Sequence, residues 1–168
     1  MSNFFDKSDL SRKDVDEIVS DTLNNCDDGE LYFEDSKSES IVLDDNKIKS
    51  SNYSSDPGFG FRAISDEVVA YSHSNEISKD SLKNSAKSLQ STLKSIKGTY
   101  NHEIPKTNNK FYDAINPIEQ KTLDGKLEVL NNVNEYLRKK NSTVKQVTAS
   151  FSGEHKSIEI IRSGGESL

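Results

Sequence analysis

From Leu31 to Tyr71 the apolar residues recur at every second position in short runs, and only a few residues of turn chemistry separate one run from the next. Strands joined that closely pair antiparallel, because a parallel pair needs a crossover of a dozen residues or more. Leu31 and Phe33 alternate with Tyr32 and Glu34, Ile41-Val42-Leu43 is a short apolar run, and Asp44-Asp45-Asn46 reads as a turn into the alternating Lys47-Ile48-Lys49. Asp56-Pro57-Gly58 reads as another turn, after which Phe59, Phe61 and Ala63 share one strand face. Ser65-Asp66-Glu67 turns the chain into Val68-Val69-Ala70-Tyr71. Near the end, Val147, Ala149 and Phe151 alternate, Ser152-Gly153-Glu154 reads as a turn, and Ile158 and Ile160 mark a returning strand.

Three segments have a helical period instead. Ser11-Arg12-Lys13-Asp14 opens like a cap with an acid three residues on, and Val15, Ile18, Val19, Leu23 and Cys26 follow on one face. Ser78 caps a second helix whose face is Leu82, Ala86, Leu89, Leu93 and Ile96, with Gly98 placed to end it. Asn116-Pro117 reads as the start of a third, with the stripe Leu123, Leu127, Leu130, Val133 and Leu137. Residues 99–116 have no period and read as a loop. The fold class is α+β: an antiparallel sheet of about five to seven strands with two or three helices packed on one face. The chain divides into a domain over 1–161 and a polar, structureless tail over 162–168.

Only 32% of the 168 residues are hydrophobic, so the core is thin and a two-layer domain is the expectation. A net charge of −6 argues against nucleic acid and anionic membrane as partners, since both require a basic face. No apolar run approaches the roughly 20 residues of a membrane span. The first seven residues do not read as a signal peptide, and the lone Cys26 forms no internal disulfide, so the expected setting is the cytoplasm.

The residues that could do chemistry are sparse. His102-Glu103 resembles the start of a metalloprotease helix, but no second histidine follows one turn later, and Pro105 opposes a helix interior. His73 reads as a strand-end residue and His155 as a turn residue; Cys26 reads as a small buried hydrophobe closing the first helix face. Gly58-Phe59-Gly60 lacks the third glycine and the following helix of a dinucleotide site. The acids at Asp27-Asp28, Glu34-Asp35 and Asp44-Asp45 fit no calcium loop and read as solvated turns. Arg62 is the one charge inside a strand, facing either an acid of the sheet or the carboxylate of a peptide or partner. The residues alone therefore name no catalytic and no metal position.

Several segments resemble a known family in a common order. Leu31-Tyr32-Phe33-Glu34 and Glu39-Ser40-Ile41-Val42-Leu43-Asp44-Asp45 are similar to its "LYF…ES…LE(D)" stretch, and Gly58-Phe59-Gly60-Phe61-Arg62-Ala63 to its "GVGVRA" strand. Ala70-Tyr71-Ser72 precedes a Leu-rich helix, as the family's "AYS" does, and Val144 to Gly153 resembles its "VxxVxASLSG" strand. By this resemblance the chain is identified with the N-terminal domain of the TldD/PmbA family of zinc metalloproteases. The resemblance implies an enzyme that cleaves unfolded peptides inside a dimer's cavity, with zinc held on a His-Glu-x-x-x-His helix in a later segment. No residue here matches that motif, so neither zinc ligands nor catalytic residues carry over, and the implied state is a truncated, non-catalytic portion. The implied partners are a TldD/PmbA-type subunit in a homo- or hetero-oligomer, or the missing C-terminal half. The alternative is a stand-alone module whose open sheet edge binds a peptide or protein.

Overall fold

A computed structural model of the chain describes residues 4–5, 8–93 and 115–162. Among these the order is α1 (Arg12–Leu23), β1 (Asp28–Asp44), β2 (Lys47–Ser65), β3 (Val68–Ser74), α2 (Lys79–Leu93), α3 (Leu123–Lys140) and β4 (Thr148–Arg162). The four strands form one antiparallel sheet in the order β3-β2-β1-β4. The α+β class is as expected, but the strands number four among the described residues, not five to seven, because three of them run far longer than the sequence pattern implies.

β1 absorbs the polar stretch between Phe33 and Ile41, and β2 continues through Asp56-Pro57-Gly58. The residue before a proline is pushed toward extended backbone, which a strand accepts as readily as a turn. β4 runs straight through Ser152-Gly153-Glu154. The apolar residues change phase there, from Ala149 and Phe151 at odd positions to Ile158 and Ile160 at even ones, and a turn was the natural explanation. The strand does not change phase: Ile158 faces out, 49% exposed, and Ile161 is the buried residue of that end. His155 consequently lies inside β4 and not in a turn.

Two tight connections were legible. Asp45 and Asn46 join β1 to β2 with φ of 46° and 63°, the left-handed pair that a two-residue hairpin requires and that Asp and Asn tolerate. Asp66, at φ 54°, starts the turn from β2 to β3, whose register pairs Phe59 with Ser74 through Ser65 with Val68.

The chain forms two compact units. In the first, residues 1–35, 56–113 and 157–168, the core combines Val15, Val19 and Leu23 of α1, Leu82 and Leu89 of α2, Leu31 and Phe33 of β1, and Phe61 of β2. Phe33 is the aromatic centre, with the Phe4, Phe5 and Phe59 rings 5.7, 5.6 and 6.1 Å from it. α1 starts at a complete capping box: Ser11 Oγ accepts from the Asp14 amide at 3.1 Å while the Asp14 carboxylate accepts from the Ser11 amide at 3.1 Å. Lys79 donates to the same carboxylate at 2.5 Å, and this bond, with those from Ser11, holds Asp14 well below the usual carboxylate range. Ser78 caps α2 as expected, its Oγ accepting from the Ser81 amide at 3.2 Å. Ile96, Gly98, the 99–114 part of the expected loop and residues 163–168 of the expected tail lie outside the described residues.

In the second unit, residues 36–55 and 114–156, α3 begins at Leu123 under a Thr122 cap rather than at Pro117. The expected stripe faces inward in part: Leu130 is buried and Leu127 half-buried, and polar residues share that face. The buried positions are Lys126, Leu130 and Asn134, while Leu123, Val133 and Leu137 are 54, 42 and 41% exposed. The apolar core cluster of this unit is Ile41, Leu43 and Leu130, with Leu127, Ala149 and Phe151 partly buried against it; Ile118 and Val147 are buried as well.

The packing of α2 is checked by Leu89→Asp. Leu89 is 1% exposed, so the variant buries an unpaired carboxylate and loses several kcal/mol of stability, read as a collapse of the urea midpoint. An unchanged midpoint would show that α2 does not cover the core.

Candidate functional site

Arg62 is placed by the β2–β3 register, directly opposite Tyr71. Its Nη2 lies 3.3 Å from Asp28 Oδ2 and 3.2 Å from Glu30 Oε1 of β1. Arg162 of β4 reaches the other oxygen of Glu30 at 3.5 Å. Two arginines and two acids therefore alternate across three strands with no net charge, so Arg62 meets acids of the sheet, the first of the two roles its position allowed. The Nε atoms of both arginines are buried and donate to no acceptor among the described residues.

Beside this ladder lies a cleft of about 250 Å³, lined by Tyr32, Glu34, Gly58, Gly60, Tyr71 and His73 among others. Glycine is what opens it. A Cβ at Gly60 would come within 2.6 Å of the Tyr71 hydroxyl, so any side chain there would displace the ring now lying over the strand. Tyr71 stacks on His73 with 5.8 Å between ring centroids and is itself 63% exposed. On β1, Tyr32 donates a short hydrogen bond to Glu34; burial and that carboxylate push the phenol up to about 12, so it stays a donor across the physiological range. The cleft thus presents aromatic faces, a backbone floor and an acid.

The second unit has a separate hollow of about 430 Å³ lined by Ser, Asn, Tyr53 and Glu154 side chains around Gly153. Close to it is a group that the pattern did not reveal. Lys126, 4% exposed, places Nζ 2.6 Å and 2.8 Å from the two carboxylate oxygens of Glu39 and 2.6 Å from the Ile118 carbonyl oxygen, with the Phe151 ring 5.8 Å away. A lysine in the first turn of a helix ordinarily faces water; here its place one turn before Leu130 turns it inward. Asn134, one turn after Leu130, is likewise held, donating to Asn46 and accepting from Arg138 Nε at 3.1 Å.

Cys26 is buried, its thiol pushed up by burial and donating to the Thr22 carbonyl. Of the acid pairs, Asp28, Glu34, Asp35 and Asp44 lie within β1 instead of turns, and Gln146 and Thr148 donate to Asp44, lowering its pKa. His102 is outside the described residues. Among the described residues no group of three or more His, Cys, Asp or Glu comes together to hold a metal, so the described residues do not fit a zinc site. No described helix is long and apolar enough to cross a membrane.

A family model for domain 1 of the PmbA/TldA metallopeptidases matches residues 29–92. The chain is 32% identical over 165 residues to a metalloprotease TldD homolog of Buchnera aphidicola from Schizaphis graminum, covering 95% of this chain and 33% of that protein. Against the metalloprotease TldD homolog of Haemophilus influenzae the identity is 32% over 146 residues, covering 84% of this chain and 30% of the relative. The chain therefore spans about a third of the length of the curated relatives it matches. Its fold is similar to a crystal structure from Thermotoga maritima described as a modulator of a DNA gyrase (TM-score 0.68, 14% identity, 94% of this chain and 36% of that one). It is also similar to TldE from Thermococcus kodakarensis (TM-score 0.61, 14% identity, 92% and 36%).

The buried pair in the second unit gives a sharp test. Lys126→Ala strands the Glu39 carboxylate and costs about 3–5 kcal/mol, whereas Lys126→Met with Glu39→Leu recovers most of that loss. Urea denaturation of the two variants decides it; equal stability of the two would mean that the pair is not buried as described.

Proposed function

Because this chain belongs to the PmbA/TldD metallopeptidase family, matching its first domain, we propose that it acts as the non-catalytic N-terminal domain of a TldD-like zinc metalloprotease. The observation that carries this reading is the coverage: nearly all of the chain aligns with a third of a metalloprotease homolog, and none of its described residues group as metal ligands. In this reading zinc and the catalytic residues belong to the segment that follows in the relatives. The chain's own residues do the binding: the cleft over Gly58 and Gly60 receives an unfolded peptide in the cytoplasm, with Tyr71 and His73 packing along it. Arg62 is the residue we assign to a peptide or partner carboxylate, which there would share the guanidinium with Asp28 and Glu30. The assembly is an oligomer with another TldD/PmbA-type subunit.

Two measurements test the proposal. The purified 168-residue chain, dialysed against buffer, retains well under one zinc per chain and cleaves no unfolded peptide; stoichiometric zinc or cleavage would overturn the non-catalytic role. A chimera in which this chain replaces the first domain of the Haemophilus influenzae relative regains peptidase activity that the domain-deleted relative lacks. In that chimera Tyr71→Ala raises KM several-fold with kcat unchanged, the pattern of a lost binding contact. A fall in kcat alone would remove the cleft from the binding role.

A further inference from the structure

The tip of the β1–β2 hairpin gathers cations in a chain whose net charge is −6. Three segments of the second unit meet there. The last turn of α3 reaches the tip through Arg138, which pairs with Asp45. The segment before β4 reaches it through Val147, whose carbonyl accepts from the Asp45 amide at 3.0 Å, and through Gln146, which donates to Asp44 at 3.0 Å. β2 supplies Lys49, 3.9 Å from Asp44.

Both acids of the tip are thus occupied from within the unit. Asp44 accepts from Gln146 and Thr148, and these bonds hold its carboxyl below the usual range. Asp45 takes Arg138 and the Val147 amide. Lys139 is held by Glu135 at 3.1 Å. Three exposed lysines are left over: Lys47 follows the turn, Lys145 precedes Gln146, and Lys140 closes α3 with its Nζ 5.5 Å from the Tyr136 ring. Among the described residues no carboxylate pairs with any of the three. Cations in the last turn of a helix complement its dipole, which accounts for Lys140. It does not account for Lys47 or Lys145, which are in no helix.

Ile48 stands between Lys47 and Lys49 and is 54% exposed, so cations flank an apolar side chain. An apolar centre with a charged rim is the anatomy of a protein-binding surface. Charge decides what fits it: the partner must bring the carboxylates that the tip lacks. A nucleic acid has no aliphatic side chain for Ile48 and carries its charge along its whole length against a chain of net −6.

We propose that the hairpin tip of the second unit is a docking surface for an acidic protein segment, whose carboxylates pair with Lys47, Lys140 and Lys145 while an apolar side chain rests on Ile48. This goes beyond the peptidase reading and does not depend on it, because the tip is in the unit that does not hold the cleft over Gly58 and Gly60.

Fluorescence anisotropy of a labelled synthetic peptide, in which Asp and Glu surround two leucines, tests it with the 168-residue chain. The peptide is expected to bind saturably, with an affinity that falls as salt rises. Lys47→Glu with Lys145→Glu lowers the affinity at least about tenfold at an unchanged thermal midpoint, since both side chains are exposed. Lys83→Glu with Lys87→Glu makes the same change of net charge at exposed lysines of α2 and leaves the affinity within about twofold. Ile48→Ser lowers it several-fold. Absence of binding overturns the proposal, and so does equal binding of a peptide with Lys in place of Asp and Glu. An α2 pair as damaging as the tip pair, or indifference to Ile48→Ser, reduces the contact to unspecific attraction and overturns it too. Tighter binding of a single-stranded DNA oligonucleotide of the same charge overturns it in favour of nucleic acid.

Discussion

The alternation of buried side chains along β1 is the constraint on which both cores depend. β1 is an interior strand of the sheet, and it contributes Leu31 and Phe33 to one core and Ile41 and Leu43 to the other. All four are at odd positions and at most 2% exposed. A slip of one residue in the pairing of β1 would turn them all to the opposite face and bring Tyr32, Glu34, Val42 and Asp44 inward. Each large apolar side chain removed from water contributes about 1.5–3 kcal/mol, and a chain with 32% hydrophobic residues has few to spare. The register is therefore specified by a small number of positions, all of which must agree.

Where apolar residues run short, polar pairs take their place. The core cluster of the second unit has three buried apolar residues, and around them lie Lys126 on Glu39, Asn134 on Asn46 and Arg138 on Asp45. Removing two charges from water offsets most of what their attraction returns, so such pairs contribute geometry more than stability. Lys126 and Asn134 fix which side of α3 faces Glu39 of β1 and Asn46 of the turn after it. Leu127 and Leu130 lie on that same face, and Val129, Val133 and Tyr136 lie beside it, exposed.

The first unit does the reverse. Its interior is apolar and aromatic, and its charges lie on the sheet as the Arg62, Asp28, Glu30 and Arg162 ladder. The cleft beside that ladder exists because Gly60 lacks a side chain opposite His73, which leaves Tyr71 room to lie across the strand. Glycine in that strand leaves the backbone open beside neighbouring aromatics.

By itself the sequence determined the elements whose signal is local. The Ser11 and Ser78 caps, the faces of α1 and α2, and the Asp45-Asn46 and Asp66 turns depend on hydrogen bonds a few residues apart, and each was readable. So was the family, through strand motifs kept in order along the chain. Tertiary structure decided whatever depended on a distant partner. Pro57 and Gly153 punctuate a sequence, yet neighbouring strands hold both in extended backbone, which is why three long strands looked like six short ones. Glu39 lies 87 residues from Lys126 and Asn46 lies 88 from Asn134, so no periodicity within α3 could show that its polar residues face in. Local pattern records what a residue prefers when neighbours are unspecified; a buried lysine is settled only by the carboxylate that the fold brings to it.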